Sequence, residues 1–430
     1  MKTYKGKRLA AFTFVIRVNQ LEVRLDKSIG FDESELHNPA DMEQVRETFA
    51  SVIPGSRVTW AFSYQALTDT RDNYAAIRSL ASRYQKQYGD EITFLPGAFF
   101  SNVYNTPEEI NEMLEIGVRL IEKEFGYRPR SMVAGYMGAV NQRYLAEKIG
   151  IHVCQGQIWS QMGIDNGDGD GGVLYPYYPS VSHYLKPAQN LKEQIDCVCL
   201  DGWTVDLVSA TQYGLSETHN SRLGLGPIET VMKFGPEEGI REQLVTIDTH
   251  FSEGFRDNGF GLVTVNWELS LFGGKKPAVQ KAWLRALLER VKTAYPDVCV
   301  ETLADIGLAW RRENPDNTRW AYRFEQQGSG IGCSDPNKRV IWLMNAGFRL
   351  GFLEDKRAGS LRVIDFTDYT AAYIEPAPED RDWSLWGMLN QKGQRPQDKP
   401  RTFGELPSDV RKTVLARYPD LQERLERGDV

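Results

Sequence analysis

Along residues 8–313, short apolar runs alternate with longer amphipathic segments. Residues 9–18 are mostly apolar at successive positions, as a strand covered on both faces requires. Comparable runs occupy residues 58–62, 92–95, 131–136, 151–154, 195–200, 261–265 and 298–300. Between them the apolar positions recur at helical spacing. Thr106-Pro107-Glu108-Glu109 reads as a capping box with proline at the first helical position. It opens a helix carrying Ile110, Met113, Leu114, Val118, Ile121 and Phe125, and Gly126 ends it. Asn38-Pro39 opens another. A third carries Ile240, Leu244, Ile247, Phe251 and Phe255, then stops at Asn258-Gly259. A fourth follows Pro277 and is expected to bury Val279, Trp283, Leu287 and Val291. Strands alternating with helices imply parallel pairing with right-handed crossovers. Seven or eight such units predict an α/β fold, a TIM-like (β/α)7–8 barrel over residues 1–315.

The period changes to two near Asn314. Residues 319–324, 340–351 and 360–366 alternate in the strand manner, with glycine-rich turns between them. They predict a small antiparallel β subdomain over residues 316–375. Residues 376–430 read as a proline-rich, charged tail with one short helix after Ser408.

Composition narrows the function. Of 430 residues 41% are hydrophobic, enough for one large core and an accessory module. Lys plus Arg is 51 against 58 Asp plus Glu, a net −7, which gives no electrostatic reason to bind nucleic acid. No run approaches about 18 continuous apolar residues, so no membrane span is expected. The basic and then apolar N-terminus looks superficially like a signal peptide. Thr13 and Arg17 interrupt it and no small-residue cleavage site follows, so it reads as the first strand. Cys154, Cys197, Cys199, Cys299 and Cys333 are odd in number and fall mostly inside predicted strands. Reduced, buried thiols and a cytoplasmic setting are the expectation.

In such barrels the chemistry gathers at the C-terminal strand ends. Those ends are predicted at Arg17, Tyr64, Tyr136, Trp159, Asp201 with Trp203, and Asn266-Trp267-Glu268. Aromatic, amide and carboxylate groups suit the apolar faces and hydroxyl edges of sugars, so carbohydrate is the expected partner. Glu268 and Asp201 are the candidate catalytic carboxylates of a glycoside hydrolase. Trp267 beside Glu268 would favour its acid form by desolvation. The competing reading pairs Glu268 with a basic group such as Arg17. Arg17, Tyr64, Tyr136, Trp159, His183, Trp203, Asn266 and Trp267 are candidate substrate contacts.

The loop at 165–172 is the most unusual local sequence. Asn166, Asp168, Asp170 and Gly171 match the start of a calcium loop, but Tyr177 stands where a bidentate Glu is needed. Asp165, Asp168 and Asp170 are candidate ligands for a divalent cation, calcium or zinc. The loop reads equally as the source of an active-site acid or as a glycine-rich turn. The aromatic segment at 175–180 reads either as the wall of a sugar site or as a hydrophobic lid. No Gly-x-Gly-x-x-Gly follows an early strand and no Gly-x-Ser-x-Gly occurs, which argues against a dinucleotide fold and a serine esterase.

The helix at 106–126, followed by Tyr127-Arg128-Pro129-Arg130-Ser131-Met132-Val133-Ala134-Gly135-Tyr136, resembles the segment leading into the Arg-x-Pro-Tyr motif of polysaccharide deacetylases. Residues 261–268, the helix after them and Val300-Glu301-Thr302-Leu303 resemble the last two barrel strands of the same NodB-homology group. The resemblance spans about the first 300 residues and places the chain in the glycoside hydrolase/deacetylase superfamily, closest to a bacterial branch without an assigned reaction. The usual metal-binding positions differ. Val15-Ile16-Arg17 stands where paired aspartates are found, and no histidines occur in residues 96–102. Only Tyr136 of the Arg-x-Pro-Tyr motif remains, and Asn266-Trp267-Glu268 replaces a terminal histidine. A zinc site needs three protein ligands, and these positions offer none. The departures favour a two-carboxylate hydrolase or a sugar-binding barrel over a deacetylase with rearranged ligands.

Overall fold

The computed structural model describes residues 1–24, 26–96, 105–133, 137–157, 172–211, 223–372, 374–375 and 401–428. The first strand, β1 (Arg8–Ile16), is buried along nearly its whole length. It pairs in parallel with β2 (Thr59–Ser63), which pairs in parallel with β3 (Glu91–Leu95). A second parallel group contains β4 (Met132–Val133), β5 (Val153–Gln157) and β6 (Val198–Asp201). β7 (Gly261–Glu268) returns to the other side of β1, and the two-residue β8 (Cys299–Val300) pairs with the start of β1.

The parallel strands form two sheets, one of five strands and one of three, rather than the one continuous ladder expected of a closed barrel. On one side they meet where Trp203 bridges Val265 in antiparallel fashion and the Thr204 N–H donates to Thr264 O at 2.9 Å. On the other side side chains replace the ladder. The Thr93 hydroxyl donates to Ser131 O at 2.5 Å, and the Ser131 hydroxyl donates to Glu91 at 2.8 Å.

The crossover helices carry the predicted punctuation. In α1 (Pro39–Val52) Asn38 accepts the Ala40 N–H, and in α3 (Pro107–Phe125) Thr106 and Glu109 form the full capping box. Between them runs α2 (Asp72–Tyr88). The third predicted helix is α4 (Pro236–Asp248), continued by one wide turn and a last helical turn that ends at Gly259 in the left-handed conformation. α5 (Pro277–Ala294) buries Gln280, Trp283, Leu284, Leu287, Leu288 and Val291. Val279, predicted as core, is instead 39% exposed, because it falls on the solvent edge of that stripe. α6 (Leu303–Glu313) completes the ring of helices.

A four-stranded antiparallel sheet follows: β9 (Ala321–Gln327), β10 (Lys338–Asn345), β11 (Phe348–Asp355) and β12 (Ser360–Asp368). One of its faces joins the main core through Trp320, Tyr322, Phe324, Trp342 and Met344. Its other face packs with the tail helix α7 (Ser408–Arg417) in a smaller core around Phe352, Phe403 and Val414. Cys154 and Cys199 are register partners on β5 and β6, and both are buried with Cys197. Among the described residues no helix is long and apolar enough to cross a membrane.

Candidate active site at the ends of the parallel strands

Strand alternation decides which side chains face the interior. On β1 and β7, Thr13 is the register partner of Asn266, Phe14 of Trp267 and Val15 of Glu268. Phe12, Phe14 and Trp267 all point outward. Trp267 lies 5.1 Å from the Trp283 ring of α5, and Phe12 lies 4.9 Å from the Phe49 ring of α1. Asn266 and Glu268 therefore lie on the opposite, inner face. The interior is polar at this level. The Thr13 hydroxyl faces Gln155 Oε1 at 3.5 Å, and Gln155 donates its amide to Asp201 O at 3.0 Å. The first contact joins the two parallel sheets, and the second lies within the three-stranded one. Asn266 is 1% exposed, and among the described residues neither oxygen nor nitrogen of its amide has a hydrogen-bond partner. Buried amides are normally paired, because desolvation without a partner costs about 1–3 kcal/mol.

Glu268 ends β7 and keeps 24% of its side chain exposed. Its Oε1 lies 3.7 Å from the Arg17 guanidinium, and Arg17 also makes a bidentate pair with Glu33 at 2.7 and 2.9 Å. Ser270 donates to the same Glu33 carboxylate. Burial opposes the charge of Arg17, but Glu268 and Glu33 outweigh it and hold its pKa above the ordinary value. The pairing of Glu268 with Arg17 weighed from the sequence is thus present, with Glu33 as an unforeseen third member.

Asp201 is buried at the end of β6, where its Oδ1 accepts the Trp203 N–H at 2.8 Å. Trp203 is 5% exposed and sits at the bridge between the sheets. Glu22 has a structural task. Its carboxylate accepts from Val18 N, Ser63 Oγ and Gln65 N at 2.7, 2.7 and 3.1 Å, tying the end of β1 to the end of β2. Burial pushes its pKa up despite these donors.

Three predicted substrate contacts sit elsewhere. Trp267 is enclosed between sheet and helix, with its indole N–H on Leu225 O at 2.9 Å, so it offers no ring face to a ligand. Tyr64 is buried with its hydroxyl on Met113 O, in the packing of α3. His183 is buried against Tyr184, with ring centroids 5.4 Å apart. The aromatic segment behaves as packing too. Tyr177 and Tyr178 donate their hydroxyls to Tyr184 O and Asn314 O at 2.7 Å each. Tyr136, Trp159, Asp165, Asp168 and Asp170 lie outside the described residues. Among the described residues no three His, Cys, Asp or Glu side chains gather as a metal site.

The interior thus brings together Thr13, Gln155, Asn266 and the backbone of Asp201, with Glu268 and Arg17 at the strand ends. Over residues 2–344 the sequence matches a family described as a domain of unknown function with solved structure, DUF3863. The chain belongs to the DUF3863 family. Residues 349–421 match a companion domain with the same description, DUF3864. A solved structure from Parabacteroides distasonis, provisionally named a glycoside hydrolase/deacetylase, is 38% identical with a TM-score of 0.92. The alignment covers 98% of this chain and 99% of that one. A polysaccharide deacetylase of Mycobacterium smegmatis, also provisionally named, is 19% identical with a TM-score of 0.45, covering 72% and 92%. A GH57 branching enzyme from Thermococcus kodakaraensis is 14% identical with a TM-score of 0.43, covering 70% of each chain. No curated protein matches the chain.

Proposed function

We propose that this DUF3863 protein is a carbohydrate-active hydrolase of glycoside hydrolase type, built on an irregular parallel barrel. Glu268 and Asp201 are its catalytic carboxylates, and Asn266 and Gln155 bind sugar hydroxyls. The observation that carries the reading is the Asn266 amide. It is buried, unpartnered among the described residues and on the same strand face as Glu268, and a sugar hydroxyl would satisfy both its donor and its acceptor. Arg17 positions Glu268 and holds it as one arm of an ion-pair cluster. The name of the Parabacteroides distasonis relative supports the same substrate class.

The test is a panel of aryl glycosides and acetylated sugars assayed with the wild-type chain, Glu268→Gln, Asp201→Asn and Asn266→Ala. Glycoside cleavage that falls about 10²–10⁴-fold in each carboxylate variant is expected. Asn266→Ala should lose about 5–10-fold in kcat/KM, the worth of one neutral hydrogen bond. Deacetylation that survives Glu268→Gln and needs an added metal would overturn the reading.

A further inference from the structure

A second concavity lies outside the parallel strands. A cleft of about 420 Å³ lies at the edge of the packing between the antiparallel sheet and α7. The sheet wall presents Asn345, Phe366 and Asp368, all half-buried. The helix wall presents Asp409, Thr413 and Arg417, exposed and spaced four residues apart on one face of α7. The floor is closed by Trp320, whose indole N–H is spent on Asn317 at 3.1 Å.

Among the described residues neither charge of the helix wall is neutralised by an ion pair. Among the described residues Arg417 has no carboxylate partner; its guanidinium lies by the neighbouring Tyr418, 6.0 Å from the ring centroid and within hydrogen-bonding reach of its hydroxyl. Asp409 likewise has no cationic partner among them. Asp368 directs one oxygen to the backbone N–H and hydroxyl of Thr370 at 2.9 and 2.6 Å. Two carboxylates against one guanidinium leave the walls slightly acidic, which disfavours an anionic ligand. An aromatic ring, an amide, a hydroxyl, carboxylates and a guanidinium facing one cleft match the alternating apolar faces and hydroxyl edges of a neutral sugar chain. The volume falls within the range of small-ligand sites.

We propose that this cleft is a second saccharide site that holds a neutral oligosaccharide while the strand ends carry out the chemistry. Its ligand class rests on the carbohydrate reading above; its place in the fold does not. The full chain is run through native gels containing dextran, mannan, xylan or alginate. Retardation by at least one of the three neutral polymers, and not by alginate, is expected. The double variant Asp409→Ala/Arg417→Ala changes only exposed side chains and should lose at least tenfold in affinity, whereas Asn266→Ala should keep it. No retardation by any neutral polymer overturns the proposal. So does binding that alginate alone supports, or binding that disappears with Asn266→Ala and survives in the double variant. Gel binding that persists in a chain inactive on every glycoside would sink the hydrolase reading and leave this site standing.

Discussion

Glu242 lies on α4 and His250 on the turn after it, and burial moves the two in opposite directions. Burial, with the charge of Asp206 beside it, pushes Glu242 up to about 10 from 4.5. Burial alone pushes His250 down to about 3 from 6.5, with its Nδ1 facing the Tyr175 hydroxyl at 2.9 Å. The native state holds the Glu242 proton more tightly than the unfolded chain does. Stability is therefore lost as pH rises from about 4.5 towards 10. For His250 the unfolded chain takes a proton that the native state refuses, so stability is lost as pH falls from about 6.5 towards 3. Each group contributes a slope of at most about 1.4 kcal/mol per pH unit. Glu242→Gln should raise Tm more at pH 9 than at pH 5. His250→Asn should flatten the fall in Tm between pH 6.5 and 4. Parallel pH curves for either variant and the wild type would refute its assignment.

At the scale of elements, two helices dock on their strands through glycine. A Cβ on Gly117 of α3 would stand 2.3 Å from the Phe94 ring of β3, and one on Gly307 of α6 would stand 2.5 Å from Val153 of β5. Alanine is the better helix former by about 1 kcal/mol. Crowding should still win, and Gly117→Ala and Gly307→Ala should each cost about 1–3 kcal/mol in urea unfolding. A midpoint that rises instead would show that the helices shift without penalty. These elements were largely legible, because capping box, proline and terminal glycine are local signals. The hairpin of Asn19–Arg24 and Lys27–Asp32 was not, since its strands are short and largely polar and give no long alternating pattern. The inward side of β7 was also hidden. A strand covered on both faces has no polar side to mark its parity, so Trp267 and Glu268 looked like equal rim residues although they point apart. Glu33 gave no signal either, because its role exists only once the hairpin folds it back to Arg17.

At the scale of the whole molecule, the main core does not stop where the antiparallel sheet begins. Tyr175 meets Phe324 at 4.7 Å and Tyr322 at 5.2 Å, and Trp320 stacks on Tyr322 at 4.7 Å. The two family matches divide between residues 344 and 349, inside the turn that joins the hydrogen-bonded strands β10 and β11. Calorimetry should accordingly give one unfolding transition, and a chain ended after residue 345 should aggregate with Ile341, Leu343 and the edge of β10 uncovered. Two separate transitions would show that the matched segments fold independently. The alternation of strand and helix made the parallel architecture legible. The irregular meeting of its two sheets was not, because side-chain bonds such as Thr93 to Ser131 leave no periodic trace.

The thiols in the wall between β5 and β6 make the molecule its own stopwatch. Cys154, Cys197 and Cys199 are fully buried, whereas Cys299 and Cys333 are only half-buried. Burial, with Cys197 beside it, also pushes the Cys154 thiol well above its ordinary pKa, away from the reactive thiolate. A disulfide-exchange dye added to the native protein should label two positions promptly and the remaining three only as fast as the parallel strands part. The slow phase then times the opening of the strand wall directly, with no engineered probe.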